Sequence, residues 1–168
     1  TTAIRDDDPV IFFEHKTLYG LQGDVPEGDY LVPFGKARIV SEGEDCTLVA
    51  TGRMVSFCED AAKAMSADGI SCDIIDPRTT SPLDEDAILD SVEKTGRLIV
   101  VDETPPRCSF AADVAALAAS EVFSSLKAPV KTVTGPHSPV PFAKELETAF
   151  LPSPVKIKTV IEQTVNFS

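Results

Sequence analysis

The feature that most constrains this fold is the alternation of short apolar runs with helical patterns from residue 37 onward. Residues 98–101 read LIVV, an all-apolar run that is typical of a parallel strand covered on both faces. Strands are predicted at residues 37–40, 47–50, 72–75, 98–101 and 130–133. Strands that alternate with amphipathic helices favour βαβ units with right-handed crossovers. The expected fold is α/β with three layers (α/β/α) and a mostly parallel five-stranded sheet, whose short strand at 37–40 lies antiparallel at one edge.

The helices between these strands are predicted from apolar residues at helical spacing. Met54, Cys58 and Met65 share one face of a first helix, for which Gly69 is a plausible residue just beyond the C-cap. Residues 81–84 resemble a capping signal for a second helix, with Pro82 at its first position and Gly96 at its end. Further helices are predicted at residues 110–123, 142–150 and 155–165.

The first 34 residues have a different pattern from the rest of the chain. Residues 10–13 form an apolar run of strand type, and we expect the strands that pair with it to precede this chain. Residues 19–34 contain three glycines and two prolines among acidic residues, which indicates a linker. The predicted organisation is therefore the end of a preceding domain and a linker at residues 1–34, followed by one α/β domain at residues 35–168.

Charge excludes some classes of partner. The net charge is −12 and the sequence pI is about 4.5, whereas nucleic acids and anionic membranes are bound by clustered Lys and Arg. We therefore expect neither nucleic acid nor membrane binding. The same negative field would attract a basic protein partner, although it would equally serve solubility alone.

The cysteines indicate a reducing compartment. The four cysteines are far apart in sequence, with no C-x-x-C pair, so neither a disulfide framework nor a zinc site is predicted. Cys58 lies in a predicted helix, and Cys46 and Cys72 lie at the starts of predicted strands, where a thiol behaves as a small apolar side chain. Cys108 lies in a predicted loop. A bacterial cytoplasm or an organelle matrix is the expected location.

Polar residues that follow the predicted strands form a candidate site. In an open α/β sheet, function gathers beyond the carboxyl ends of the strands, and Arg53, Asp76, Arg78 and Glu103 follow three of them. His137 lies in a proline-rich loop that could present it to a substrate or another subunit, although an exposed loop histidine is the commoner case. Asp76 and Arg78 could instead pair with each other or cap helices. No catalytic, cofactor-binding or metal-binding residue is predicted, and the phosphate-loop and dinucleotide patterns are absent.

Two stretches carry a resemblance to a known family. These are IIDPRTTSPLD at residues 74–84 and SVEKTGRLIVVDE at residues 91–103. They resemble the carboxy-terminal domain of transketolase-like enzymes, and most closely that of the beta subunit of the first component of 2-oxo acid dehydrogenase complexes. Where the family has Leu, this chain has Pro77. Residues 9–19 are similar to the end of the family's pyrimidine-binding domain, residues 35–37 to the start of its carboxy-terminal domain, and residues 139–152 to its closing motif.

The resemblance implies a thiamine-diphosphate-dependent oxidoreductase that acts on pyruvate, a branched-chain 2-oxo acid or acetoin. Thiamine diphosphate and Mg²⁺ are then expected mainly outside this chain, which is implied to be an assembly domain and inactive alone. The implied partners are an alpha subunit, a second beta subunit in an α2β2 enzyme, and the basic subunit-binding domain of a dihydrolipoamide acyltransferase. As part of this interpretation, the strand-end residues and His137 are predicted to face another subunit.

Two alternatives remain open. The first is the carboxy-terminal domain of a transketolase or a deoxyxylulose-phosphate synthase, which are single-chain transferases. The second is a stand-alone ligand-binding α/β domain with a site at Arg53, Arg78 and Glu103. A ligand-stabilised monomer would favour that second alternative, whereas self-association through an apolar surface would favour an assembly domain.

Overall fold

The protein is an α/β domain preceded by a segment with little regular structure. The structure, a computed structural model, describes residues 1–167, and residue 168 lies outside the described part. The strands are β1 (Arg38–Ser41), β2 (Cys46–Ala50), β3 (Cys72–Asp76), β4 (Leu98–Val101) and β5 (Lys131–Val133). The α-helices are α1 (Thr2–Arg5), α2 (Arg53–Ser66), α3 (Glu85–Thr95), α4 (Phe110–Glu121), α5 (Lys144–Phe150) and α6 (Pro154–Val165). Short 3₁₀ helices span Lys16–Gly20 and Phe123–Ser125.

The sheet has the order β1-β3-β2-β4-β5, and all pairings are parallel except that of β1 with β3. The prediction of a mostly parallel five-stranded sheet with an antiparallel edge strand is confirmed. β1 lies on the side of β3 that faces away from β2, and the connection from β1 to β2 passes close to the backbone at the start of β3. A Cβ built on Gly43 would overlap the backbone of Cys72, so only glycine fits where the chain turns from β1 towards β2.

Side chains alternate across the sheet and form a core on each face. On one face Leu48, Ile74 and Ile99 pack under α2 and α6. On the other face Val49, Ile75 and other apolar residues pack under α3 and α4. β2, β3 and β4 are therefore buried on both sides, as the all-apolar run at residues 98–101 predicts, and the three-layer architecture is confirmed.

Two local predictions are wrong. Residues 10–13 do not form a strand, and Phe13 is 90% exposed, because within residues 1–167 no other strand lies beside them to supply hydrogen bonds. Pro82 is not at the start of α3, which begins at Glu85 with Asp84 as its N-cap, since Pro82 instead packs in a turn against Gly35. The prediction for Gly69 is confirmed: it has a positive φ, its N–H donates to the Ser66 carbonyl oxygen, and the Ile70 N–H donates to that of Met65, which is the hydrogen-bond pair expected when a glycine lies just beyond a helix C-cap.

Candidate functional site at the carboxyl edge of the sheet

The topology collects the predicted strand-end residues at one edge of the sheet. The parallel strands β2, β3 and β4 point the same way, so residues 51–53, 76–79 and 102–104 leave the sheet at its carboxyl edge. From β2 the chain first moves to β3 on one side and then to β4 on the other. The switch point of this sheet, where such folds usually bind ligands, therefore lies between the ends of β2 and β4.

A histidine from the N-terminal segment occupies this switch point. The Nε2 atom of His15 lies 3.0 Å from Glu103 Oε1 and 3.2 Å from Oε2, and Glu103 follows β4 by two residues. A Cβ built on Gly52, two residues beyond β2, would lie 3.8 Å from His15 Cδ2. The imidazole is thus hydrogen-bonded to the segment that follows β4 and lies beside the segment that follows β2. Sequence reasoning did not include His15 among the candidates, because the two partners are 88 positions apart.

The hydrogen bonds of His15 determine the position of its ring hydrogen. The Thr17 backbone N–H donates to Nδ1 at 3.3 Å, and the Thr17 hydroxyl lies 2.8 Å from the same atom. A backbone N–H can only donate, so Nδ1 is an acceptor and Nε2 carries the hydrogen that is donated to Glu103. The Nδ1 contact also caps the 3₁₀ helix Lys16–Gly20. His15 therefore connects the turn that follows it to the edge of the sheet.

Arg53 and Asp102 make contacts within their own strand-end segments. The Arg53 guanidinium lies over the Phe57 ring at 4.7 Å from its centroid, a cation–π contact within α2. Asp102 is buried and accepts hydrogen bonds from the backbone N–H and hydroxyl of Thr104 and from the backbone N–H of Ala111. Asp102 thereby holds the loop that leads into α4.

At the end of β3, Arg78 binds the start of the domain. Its guanidinium donates to the Lys36 carbonyl oxygen at 2.8 and 3.2 Å, and to that of Ala37 at 3.3 Å. Arg78 adopts a φ of +59°, a left-handed conformation that costs energy for any residue with a Cβ. Burial raises the pKa of Asp76, while the Arg78 backbone N–H and the charges of Arg38 and Arg78 act in the opposite direction.

Two further side chains hold the same short segment. The Gly35 N–H donates to Thr79 Oγ1 at 2.9 Å, and the Ala37 N–H donates to Asp84 Oδ2 at 2.8 Å. Burial of Asp84 opposes its ionisation, but the Ala37 N–H and the Lys36 ammonium outweigh burial and lower the pKa of this carboxyl. We call residues 35–37 with Arg78, Thr79 and Asp84 the linker clamp. It joins the end of the linker to the β3–α3 connection.

The five predicted site residues do not converge on one point. Within residues 1–167, the only hydrogen bond between two of them runs from the Arg78 backbone N–H to Asp76 Oδ1, at 3.1 Å. Glu103 binds His15, and Arg78 binds the linker clamp. His137 is exposed in the loop before α5. Their roles at a subunit interface remain predictions.

The described residues do not supply a metal centre. Across residues 1–167, no group of three or more His, Cys, Asp and Glu side chains is arranged to hold a metal ion. The location of the Mg²⁺ that the resemblance implies stays a prediction, and we assign this chain no step that depends on the metal. In the same range, no helix is long and apolar enough to cross a membrane.

The fold and its strand-end contacts define an α/β domain whose carboxyl edge anchors the linker that precedes it. The chain belongs to the family described as transketolase, C-terminal domain, whose model matches residues 35–157. This confirms the resemblance carried by residues 74–84 and 91–103. Among solved structures, a split-gene transketolase described as an inactive beta4 tetramer has a TM-score of 0.71 and 22% identity, covering 85% of this chain and 45% of that one. At that identity the likeness shows the fold alone.

Curated relatives are similar over nearly the whole chain. The beta subunits of acetoin:2,6-dichlorophenolindophenol oxidoreductase are 54% identical over 158 residues in Bacillus subtilis and 51% identical over 163 residues in Cupriavidus necator. These matches cover 94% and 97% of this chain, but 46% and 48% of the relatives. The beta subunit of the pyruvate dehydrogenase E1 component of Rickettsia bellii is 43% identical, over 96% of this chain and 50% of the relative. The chain thus spans about half the length of these relatives.

Proposed function

We propose that this chain is the carboxy-terminal half of the beta subunit of a thiamine-diphosphate-dependent dehydrogenase that acts on acetoin or a 2-oxo acid. The observation that carries the proposal is the sequence identity to curated relatives that match nearly all of this chain. It is 51–54% for the acetoin oxidoreductase beta subunits and 40–43% for the pyruvate and 2-oxoisovalerate dehydrogenase beta subunits. We therefore propose acetoin as the substrate, ahead of pyruvate and the branched-chain 2-oxo acids.

Thiamine diphosphate and Mg²⁺ would be bound mainly by parts of the enzyme outside this chain. Thiamine diphosphate stabilises the carbanion that such reactions need, and protein groups bind and orient it. This chain supports that chemistry by holding its linker at the carboxyl edge of the sheet. We therefore expect residues 1–168 alone to be inactive.

Exposed apolar side chains support an assembly role. Phe12 and Phe13 in the N-terminal segment, and Val140, Phe142 and Leu146 around the start of α5, are all largely exposed. Neighbouring exposed apolar residues on a soluble domain are typical of surfaces that other subunits cover. We propose that an alpha subunit and a second beta subunit cover them in an α2β2 enzyme.

The charge of the chain suggests a further partner. Four carboxylates lie on the exposed side of α3: Glu85, Asp86, Asp90 and Glu93. Lys94 in the same helix is already paired with Asp73 at 2.7 Å. We propose that this acidic side of the domain attracts the basic subunit-binding domain of a dihydrolipoamide acyltransferase. Raising the ionic strength from about 0.01 M to about 0.15 M shortens the Debye length from about 30 Å to about 8 Å, and association should slow markedly. An association rate that does not change with salt would exclude this steering.

We further propose a reducing location, either a bacterial cytoplasm or an organelle matrix. All four cysteines are free and three of them are buried. The acetoin and Rickettsia relatives are bacterial proteins, and an Arabidopsis relative at 40% identity is named as mitochondrial.

The test is reconstitution of the enzyme. The full-length polypeptide that contains this chain is purified with its alpha subunit, and acetoin, pyruvate and branched-chain 2-oxo acids are offered with thiamine diphosphate, Mg²⁺ and 2,6-dichlorophenolindophenol as the electron acceptor. We expect turnover with acetoin as the fastest substrate, and none when residues 1–168 replace the full-length polypeptide. Failure to pair with the alpha subunit, with no turnover of any of these substrates, would favour the transketolase or deoxyxylulose-phosphate synthase alternative.

A further inference from the structure

The contact between His15 and Glu103 closes the position at which open α/β sheets usually bind their ligands. The imidazole lies between the ends of β2 and β4, against Gly52 and hydrogen-bonded to Glu103. Only 24% of the His15 side chain and 35% of that of Glu103 are exposed. Exposed apolar residues precede His15 in the chain, yet His15 itself is largely covered. The chain therefore fills its own switch point with a side chain from the N-terminal segment.

We propose that His15 and Glu103 form an intramolecular joint, which makes His15 a positioning residue for everything that precedes it in the polypeptide. The carboxylate holds Nε2, and Thr17 holds Nδ1. Both ring nitrogens are therefore engaged, one by the sheet edge and one by the Lys16–Gly20 turn. This double engagement fixes the direction in which the N-terminal segment leaves the domain. It also reserves the switch point for the chain itself, which distinguishes this domain from a stand-alone ligand-binding domain.

The joint works together with the linker clamp at the other end of the linker. Residues 21–34 lie between the two attachments, have no helix or strand, and are almost entirely exposed. With the clamp alone, the upstream segment could move on this linker. The joint removes that freedom, because it attaches the segment directly to β4 through Glu103. Its effect on orientation does not depend on which reaction the full enzyme catalyses.

The histidine offers two substitutions that separate hydrogen bonding from packing. In His15→Gln, the amide nitrogen can take the place of Nε2 and still donate to Glu103. In His15→Asn, the amide oxygen can take the place of Nδ1 and still accept from Thr17, but nothing reaches Glu103. Glu103→Ala removes the acceptor, and the double variant His15→Asn/Glu103→Ala tests whether the two residues act as one unit. His137→Gln changes the other histidine, which is exposed, and is the matched control.

The measurement is amide hydrogen exchange in the full-length polypeptide, without cofactor or alpha subunit. The Leu18 N–H donates to the His15 carbonyl oxygen and the Leu21 N–H to that of Leu18, so both amides report opening of the turn next to the joint. We expect His15→Asn and Glu103→Ala each to speed their exchange about fivefold, as for loss of a partly exposed hydrogen bond to a carboxylate. The double variant should exchange no faster than either single variant. His15→Gln keeps the bond to Glu103 but loses the Nδ1 acceptor for Thr17, so its amides should exchange more slowly than those of His15→Asn. His137→Gln should exchange like the unmodified protein, and so should the β4 amides in every variant.

Three results would overturn the proposal. Unchanged exchange in both His15→Asn and Glu103→Ala would mean that the contact does not hold the turn. Equal acceleration in His15→Gln and His15→Asn would mean that the bond to Glu103 is not what holds the turn. Additive effects in the double variant would mean that the two residues act independently. Because the assay needs no turnover, these outcomes can be interpreted even if the proposed enzyme activity is not found.

Discussion

Substitution of Arg78 tests both the linker clamp and the backbone conformation at the end of β3. In Arg78→Ala the two carbonyl oxygens of Lys36 and Ala37 lose their guanidinium donor. Hydrogen bonds from charged donors contribute about 1.5–3 kcal/mol when buried. Arg78 is exposed, so water replaces part of each bond and about 1 kcal/mol per carbonyl is expected. The free energy of unfolding should therefore fall by about 2 kcal/mol, which corresponds to a decrease in Tm of about 4–8 °C for a domain of this size.

Arg78→Gly loses the same hydrogen bonds but relieves the backbone. A φ of +59° is a strained backbone conformation for both arginine and alanine, whereas glycine adopts it without strain. Arg78→Gly should therefore be more stable than Arg78→Ala by up to about 1 kcal/mol. Urea unfolding followed by circular dichroism gives both values, with Arg107→Ala, in the exposed loop before α4, as the control. An Arg78→Ala variant as stable as the control would refute the clamp, and equal stability of the alanine and glycine variants would refute the backbone argument.

Three further perturbations test the core and its surroundings. Cys108 should react with a thiol reagent in the native protein while the three buried cysteines do not, because burial raises the pKa of Cys72 to about 12 and those of the other two above their usual range; intact-mass spectrometry should show a single adduct. Gly43→Ala forces a Cβ into the Cys72 backbone and should cost about 3 kcal/mol in urea unfolding, whereas Gly23→Ala, in open space, should change little. The Ser71 backbone N–H lowers the pKa of Asp45, so Asp45 stabilises the fold above its unfolded-state pKa of about 3.9 and loses this contribution as the pH falls through the lower folded-state value. Asp45→Asn should therefore destabilise the protein at about pH 7 but not at about pH 2, and an equal loss at both would contradict this linkage.

The buried strands and their helices could be predicted because burial leaves a local signal. β4 is apolar throughout because helices cover both of its faces, and α3 ends at Gly96, which has a left-handed φ of 74°. The mostly parallel sheet followed from the rules for βαβ units, and the antiparallel edge strand followed from its shortness, whereas the order of the strands was not predicted. In these elements, the residues that determine the structure lie next to one another in the chain. Local reasoning is therefore sufficient for them.

Polar contacts between distant residues leave no such signal. At the amino ends of the strands, Thr47 shares hydrogen bonds with Ser91 and Thr95 at 2.8 Å each, and Ser91 donates to the buried Asp73 at 2.5 Å. Lys94 completes this network with an ion pair to Asp73 at 2.7 Å. In the sequence, nothing distinguishes these residues from other polar residues of a helix or strand. Their partnership exists only because β2, β3 and α3 are brought together by the apolar core.

The candidate site also has one part that local sequence reasoning predicts and one part that depends on contacts between distant residues. The location of the carboxyl edge could be predicted, because any parallel sheet collects its strand ends there. What occupies that edge could not be predicted, because His15 reaches Glu103 across 88 positions from a segment predicted to be the end of a preceding domain. Arg78 was predicted to face another subunit, yet its side chain binds the carbonyl oxygens of Lys36 and Ala37 within this chain. At the carboxyl edge, polar residues thus contact the chain at both ends of residues 21–34, and in our proposal these two contacts set the direction of the N-terminal segment.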